Sequence, residues 1–572
     1  MNHSDRRLWR ATAGTAVAAL AVLAGTARAA SPAAGSVSQS AQASWSGGPN
    51  LLAAGTACGG PANTKCDNYK LTIVPPAGNF QVEITLTPQL VDDYDLEVYG
   101  PGGQLVGNSG NANGAVEKVT LQNPAAGVYT VSAAPYIATR AYSAGAKLTL
   151  QSTPPPATDP APTYAVYAPP AGVGASAGEP SIGVNHRTGA VMYIAGTETL
   201  KVGFNDAVSP ATASWQNVSA LQTSLITFDP ILYTDAGLGR TYVSQLLPTK
   251  ISLMAYTDDD GVTWNPSQGA GINSGVDHQT VGGGPFSRNG LLASLPHLYS
   301  NAIYYCSQDI ALAQCAVSLD GGVTFGVAVP IYNLTQCSGI HGHVKVAPDG
   351  TVYVPNKNCN GQAGVAVSTD NGLTWTVHTV PGSSAGSSDP SVGIGADGTV
   401  YLGWSNGDGH AYVAVSNSQG ATWSSIQDVG APFGIQNIAF PAVVAGDGDR
   451  AAFAFLGTTA GGAATGDDAN FPAVWHLYVA HTYNGGVSWV TADVTPTDPV
   501  QRGTICTAGT TCGGTRNLLD FMDITVDGEG RVLVGYADGC VGTCVNGGAN
   551  TFAAEARIAR QKGGKRLYAA FD

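Results

Sequence analysis

One turn is written five times in this chain: DDDGVTW at Asp258–Trp264, SLDGGVTF at Ser318–Phe325, STDNGLTW at Ser368–Trp375, SNSQGATW at Ser416–Trp423 and TYNGGVSW at Thr482–Trp489. The shared pattern is roughly S-x-D-x-G-x-T-W. Repetition at this spacing means a repeat architecture, and it constrains the fold before any other argument. The chemistry of the turn is local. An Asp or Asn side chain accepts hydrogen bonds from nearby backbone N–H groups, which holds a tight turn. Glycine supplies the positive φ that such a hairpin needs. The closing aromatic packs beneath the turn and ties it to the neighbouring sheet.

A second repeat runs in register with the first. Each unit opens on a short polar or acidic signature, then an apolar strand, a Gly-rich hairpin and a second apolar strand. The openings are Glu179-Pro180-Ser181, Asp229-Pro230, Pro296-His297, Gly342-His343-Val344, Asp389-Pro390-Ser391, Phe440-Pro441-Ala442 and Asp520-Phe521-Met522-Asp523. The hairpins at Asp349-Gly350 and Asp397-Gly398 are strong two-residue turn signals. Seven such openings predict an all-β propeller of about seven four-stranded blades, with six possible. No helix-period stretch of useful length competes with this reading. The C-terminal Lys565–Phe571 is expected to pair with an early strand and close the ring, since an open propeller leaves unpaired edges.

The repeated turns resemble the Asp-boxes of the sialidase superfamily and related β-propellers, over about Pro162 to Asp572. The resemblance implies that the turns are structural and lie away from a catalytic face, so Trp264 and Asp370 are not expected in a site. It also implies a three-arginine clamp for a substrate carboxylate. The R-I-P motif of that family is absent here, and Glu179-Pro180-Ser181 stands in the first blade instead.

Ahead of the propeller, the 572-residue chain has room for a second domain. Arg6, Arg7 and Arg10 precede a small-residue apolar run and an Ala27-Arg28-Ala29 cleavage site, so residues 1–29 read as a secretory signal. Residues 30–45 are Ala/Ser-rich and are expected to be disordered. Residues 46–151 read as a β-sandwich, jelly-roll-like: Phe80, Val82, Ile84 and Leu86 alternate with polar neighbours. The runs YDLEVYGPGGQLV and AAGVYTV resemble the prepeptidase C-terminal module, which implies an accessory role. Asp92, Asp93 and Asp95 read as a polar strand edge in preference to a calcium site. Residues 152–163 carry five prolines and read as an extended linker to the propeller at 164–572.

Ten cysteines in an exported chain read as disulfides between sequence neighbours: Cys58–Cys66, Cys306–Cys315, Cys337–Cys359, Cys506–Cys512 and Cys540–Cys544. No metal and no cofactor is expected, because no C-x₂-C pair occurs and the histidines lack ligand spacing. The net charge of −14 excludes a phosphate-binding basic stripe, hence a nucleic-acid partner. Outside the signal, no stretch is apolar enough to span a membrane. The expected state is a secreted monomer, extracellular or periplasmic, with a glycan as its ligand.

In a propeller, first strands line the central channel, so their beginnings converge on one rim. That convergence names Glu179, Asp229, His343 and Asp389 as catalytic candidates, with His297 and Asp523, or Asp520 in its place, beside them for binding. The loops add His278 and Gln279, Lys357 in Asn356–Cys359, Trp404 as a sugar-stacking aromatic, and Tyr304. Arg288, Arg502 and Arg516 lie outside the hairpin turns and are the clamp candidates. Three functions compete. A sialidase-like glycoside hydrolase would use paired carboxylates, Asp229 and Asp389 with Glu179 as a third. A polysaccharide lyase would use His278, His343 and Tyr304 on an acidic glycan, with Arg516, Lys357 or Gln279 neutralising the uronate. A binding propeller would need no chemistry at all.

Overall fold

The computed structural model describes residues 29–51, 55, 58–76, 80–111, 113–122, 124–150, 157–247, 252–268, 277–308 and 312–572. All but the last residue of the expected signal lie outside these, as do 152–156 of the Pro-rich stretch.

The N-terminal region is a pair of antiparallel-dominated sheets, one of five strands and one of four. Its strands alternate in burial, as Phe80–Thr87 does, because one face of each sheet meets the other. Trp45 stacks on Tyr69 with ring centroids 3.8 Å apart inside this core. Two corrections apply here. Residues 30–45, expected to be disordered, supply the strand Ala34–Val37, which pairs in parallel with Lys70–Ile73. Val37 is fully buried, so one well-placed apolar residue outweighs the Ala/Ser composition around it. Asp92 is also not a strand-edge residue open to water. It is buried, and its carboxylate accepts from the Thr139 hydroxyl, the Arg140 N–H and the Arg140 guanidinium. Among the described residues no group of three or more His, Cys, Asp or Glu is placed to hold a metal ion.

From Thr163 onward the chain forms seven sheets of at least four strands. Their innermost strands are Ser181–Val184, Pro230–Asp235, Asp277–Pro285, Lys345–Val346, Ser391–Ile394, Asn437–Ala445 and Asp523–Val526. Each packs on the next, and Asp523–Val526 packs back on Ser181–Val184, so the sheets close a seven-bladed ring. The closure differs from the expectation. Thr163–Tyr167 becomes the outer strand of the last blade by pairing with Ile558–Gly563, whereas Lys565–Phe571 follows as irregular chain ending in a short 3₁₀ turn. Tyr164 locks this seam, its hydroxyl 2.6 Å from His481 Nε2 in the sixth blade.

The third blade also opens elsewhere than expected. Its inner strand is Asp277–Pro285, while Pro296-His297 sits in the hairpin after it. The run Gly282-Gly283-Gly284 looks like a flexible loop in sequence and is a strand in fact. A Cβ at Gly282 would lie 2.5 Å from the Val344 carbonyl oxygen of the next blade, so the crowded channel wall requires glycine there.

The repeated turns form as their chemistry dictates. A hydroxyl at the first position accepts the N–H four residues on: Gly261 on Thr257, Gly322 on Ser318, Gly372 on Ser368, Gly420 on Ser416 and Gly486 on Thr482, at 2.8–2.9 Å. Asp259, Asp320 and Asp370 accept the N–H of Thr263, Thr324 and Thr374. Trp264 donates to the Val218 carbonyl and so ties its turn to the neighbouring blade. Each turn joins the third strand of a blade to the fourth. Strands within a blade alternate in direction, so these turns lie at the end of the ring opposite to where the inner strands begin.

All five cysteine pairs are disulfides as expected, and no described cysteine is free. Among the described residues no helix is long and apolar enough to cross a membrane.

Candidate functional site

The beginnings of five inner strands and the chain just before the seventh blade meet around one end of the channel. Glu179, Asp229 and Asp389 each precede a proline at a strand entry: Pro230 begins its strand, and Pro180 and Pro390 stand one residue before Ser181 and Ser391. Proline sets φ and donates no hydrogen bond, which suits the entry to a strand. Glu179 is held at φ +57°. His278 sits at a register slip between Asp277 and Gln279, with φ +44°. A bulge of this kind re-aims one side chain.

The centre of the cluster is a pair of carboxyl groups. Glu179 is buried and hydrogen-bonded to Asp520, and Arg516 grips Asp520 with two parallel N–H donors. The two acids are driven apart. Burial first, then the charges of Asp229 and Asp520, push Glu179 well above the usual carboxyl range. Burial works on Asp520 too, but the hydrogen bonds from Arg516 and Glu179 outweigh it and hold Asp520 below its ordinary value. The environment therefore favours the neutral form of Glu179 and the ionised form of Asp520.

Asp229 stands beside this pair. It accepts the Gln279 N–H at 2.6 Å, and its carboxylate is 3.9 Å from His278 Nδ1. The His278 ring meets His341 at 5.0 Å, His343 at 5.8 Å and Phe521 at 5.7 Å. Burial pushes His341 and His343 down to about 3, helped by His278 for the first and Lys345 for the second. Both imidazoles are neutral at physiological pH. His341 Nδ1 lies 2.9 Å from the Gly342 carbonyl, which accepts its proton and sets the tautomer. On the far side Lys357 reaches Asp389 at 3.1 Å. Burial raises Asp389 and Lys357 opposes that rise.

The structure thus brings together Glu179, Asp229, His278, His343, Asp389, Lys357 and Arg516 from the sequence candidates. The others lie apart. Tyr304 is fully buried in the core between blades, and the charge acting on it is that of Asp370, at the repeated-turn end. Strand alternation sends its neighbour Tyr305 toward the cluster, where its hydroxyl donates to Gln279. Gln279 is fully buried and spent on the framework: it bonds Ser244, Tyr305 and the Asp229 carbonyl. Arg288 is exposed in the hairpin after Pro285, at the opposite end. His297 is in the same hairpin, stacked on Phe286 at 3.5 Å. Trp404 is 2% exposed, stacked on Tyr412 with its N–H on Asn406, so it offers no face to a sugar. Arg502 donates to the carbonyls of Cys544 and Val545 and braces the Cys540–Cys544 loop. Asp523 accepts the Ile182 N–H and staples two inner strands together.

Three further residues complete the site: Asp520, the alternative to Asp523 at the seventh opening, His341 and Phe521. Asp520 belongs to a blade opening, and His341 shares a strand-like run with His343, so both carried a signal. Nothing in the sequence marks Phe521, which earns its place only by packing on His278 and His343.

No family profile matches the chain, and no curated protein does. Among solved structures the chain is similar to a Hadza microbial sialidase at 12% identity, covering 86% of this chain and 95% of that one, with a TM-score of 0.33. It is similar to the NanB sialidase of Streptococcus pneumoniae at 8% identity, covering 85% and 95%, with a TM-score of 0.35. It is also similar to a lectin of Aleuria aurantia at 12% identity, covering 56% and 96%, with a TM-score of 0.36. At such scores the fold rests on the strand connectivity of this chain itself.

Proposed function

We propose that this chain is a secreted carbohydrate-active protein whose propeller rim hydrolyses glycosidic bonds. The observation that carries the reading is the geometry of three acids: a buried Glu179 beside an Asp520 that Arg516 clamps, with Asp229 next to them, an arrangement in which burial raises Glu179 and Arg516 lowers Asp520. Glycoside hydrolysis needs one carboxylic acid to protonate the departing oxygen and one carboxylate to assist attack on the anomeric carbon. Glu179 supplies the proton. Asp229 supplies the carboxylate. The glycosidic C–O bond breaks, the leaving oxygen takes the Glu179 proton, and water delivers hydroxyl to the sugar and a proton back to the site. Asp520, clamped by Arg516, keeps Glu179 oriented and protonated.

The lyase alternative loses support. It needs a histidine and a tyrosine that exchange protons near neutral pH. Of its candidates, burial pushes His343 down to about 3 and Tyr304 lies buried in the core between blades, which leaves His278, beside Asp229, without its partners in that reaction. The test is reducing-end release by the mature protein, with Glu179→Gln and Asp229→Asn as controls. Loss of general acid catalysis is expected to lower kcat by about 10²–10⁴-fold. Unchanged turnover in Glu179→Gln, or glycan binding with no bond cleaved by the wild type, overturns the hydrolase reading in favour of a binding propeller.

A further inference from the structure

The five repeated turns also close the gaps between blades. Each is tied to the blade before it: Asp260 accepts from Asn185, Arg240 donates to the Gly321 carbonyl, Asn371 accepts the Ser287 N–H, Gln419 donates to Asp349 and Gln427 donates to the Gly486 carbonyl, at 2.6–3.0 Å. The first blade has no such turn. Between its third and fourth strands runs Asp206-Ala207-Val208-Ser209-Pro210-Ala211, which lacks the glycine of the pattern. Its gap toward the last blade is bridged by charge instead. Asp206 accepts from Arg560 at 2.5 and 2.9 Å, and Asp527 and Glu529 of the last blade's hairpin pair with Arg531 at 3.2 and 2.5 Å. In this gap is a cavity of about 560 Å³. It lies at the repeated-turn end of the ring, because the hairpins that wall it follow Val184 and Val526, where the two inner strands finish. Small-molecule sites have volumes of this order.

One wall group lacks a partner. Arg560 is 6% exposed, and its Nε–H is buried without an acceptor among the described residues, while its two Nη groups hold Asp206 and Asp527. A buried donor left unpaired costs stability, which a ligand oxygen would recover. Lys201 adds an amine to the same wall, Asp527 and Glu529 add carboxylate lone pairs, and Phe204 adds apolar surface.

We propose that this cavity is a second binding site, separate from the rim, and that it takes a neutral saccharide unit. The guanidinium and the amine seek oxygen acceptors, the carboxylates accept from hydroxyls, and a sugar ring carries both functions on adjacent carbons. The wall carboxylates oppose phosphate or any other anion, and Arg531, Arg560 and Lys201 oppose a cation. A purely apolar ligand would leave the Arg560 Nε–H unpaired. The site does not depend on the hydrolase reading, since a sugar held here sits at the end of the ring opposite Glu179.

Saturation-transfer NMR on the mature protein tests this with the methyl glycosides of glucose, galactose, mannose, fucose, xylose and N-acetylglucosamine. Inorganic phosphate and putrescine are the charged probes, read by line broadening. Gly528→Phe puts a ring into the cavity. A Cβ at Gly528 meets no atom closer than 3.9 Å, at His186, and the backbone there is outside the left-handed region. At least one neutral sugar is expected to bind the wild type and to weaken about tenfold or more in Gly528→Phe, the loss of one or two hydrogen bonds. Lys201→Glu is expected to weaken it likewise and serves where Gly528→Phe does not fold. A sugar that both variants bind as the wild type does sits elsewhere and overturns the proposal. No neutral sugar bound, or phosphate or putrescine bound in its place, overturns it as well. Reducing-end release is measured alongside: its absence from the wild type sinks only the hydrolase reading, and its loss in a folded Gly528→Phe overturns the separateness of the two sites.

Discussion

At the scale of single residues, one proton explains most of the site. Glu179 is a carboxyl group whose pKa in the folded state is raised, by burial first and by Asp229 and Asp520 next. A raised carboxyl pKa favours the folded state below the unfolded value near 4.3 and loses that contribution as pH climbs through the folded value. Two outcomes follow for Glu179→Gln. Turnover falls, and the melting temperature relative to wild type improves as pH is increased from 5 to 9. A variant that loses both activity and relative stability on the alkaline side would show that Glu179 is ionised in the folded protein. Arg516 is the complementary case. Arg516→Met leaves the half-buried Asp520 without its cation and is expected to cost about 3 kcal/mol in urea unfolding. Arg516→Lys keeps the charge, loses the two-pronged geometry and falls between.

At the scale of the element, the two ends of the ring have separate duties. The repeated turns are held by side-chain bonds at the end opposite the carboxyl cluster. Asp370 accepts from Ser368 and from the N–H and hydroxyl of Thr374. Burial raises Asp370, but these bonds bring it below its ordinary value. Asp370→Ala is expected to cost about 1–2 kcal/mol of stability and to leave kcat unchanged, since no site residue touches that turn. Gly282→Ala is the converse. Its new Cβ would press on the Val344 carbonyl, one residue from His343, and overpacking of this kind costs about 1–3 kcal/mol. Chemical denaturation and steady-state kinetics on both variants check the division: the first changes stability alone, the second changes both.

At the scale of the whole molecule, ring closure decides whether the site exists. Glu179 and Asp520 are hydrogen-bonded across the seam between the first and last blades, and Thr163–Tyr167 caps that seam from outside. Removing residues 157–167 is expected to lower the melting temperature by several degrees and to reduce turnover together with it, because the exposed edge of Glu555–Gly563 loses its partner. Equal stability in the truncated chain would mean that closure is carried by side chains alone. The sequence by itself determined the elements: the turn chemistry, the blade count and the disulfide partners are all set by residues close together in the chain, whereas two expected strand starts failed, Pro296 falling in a hairpin and Pro441 inside the strand Asn437–Ala445. It did not determine which side chains meet. Tyr304 and Tyr305 are indistinguishable until strand phase is known, Gly282–Gly284 look like a loop until the neighbouring blade crowds them, and Asp520 looks no better than Asp523 until Arg516 and Glu179 close on it. Those choices depend on contacts across hundreds of residues, where burial and a single buried ion pair decide which carboxyl holds a proton, and only the closed ring brings the groups within range.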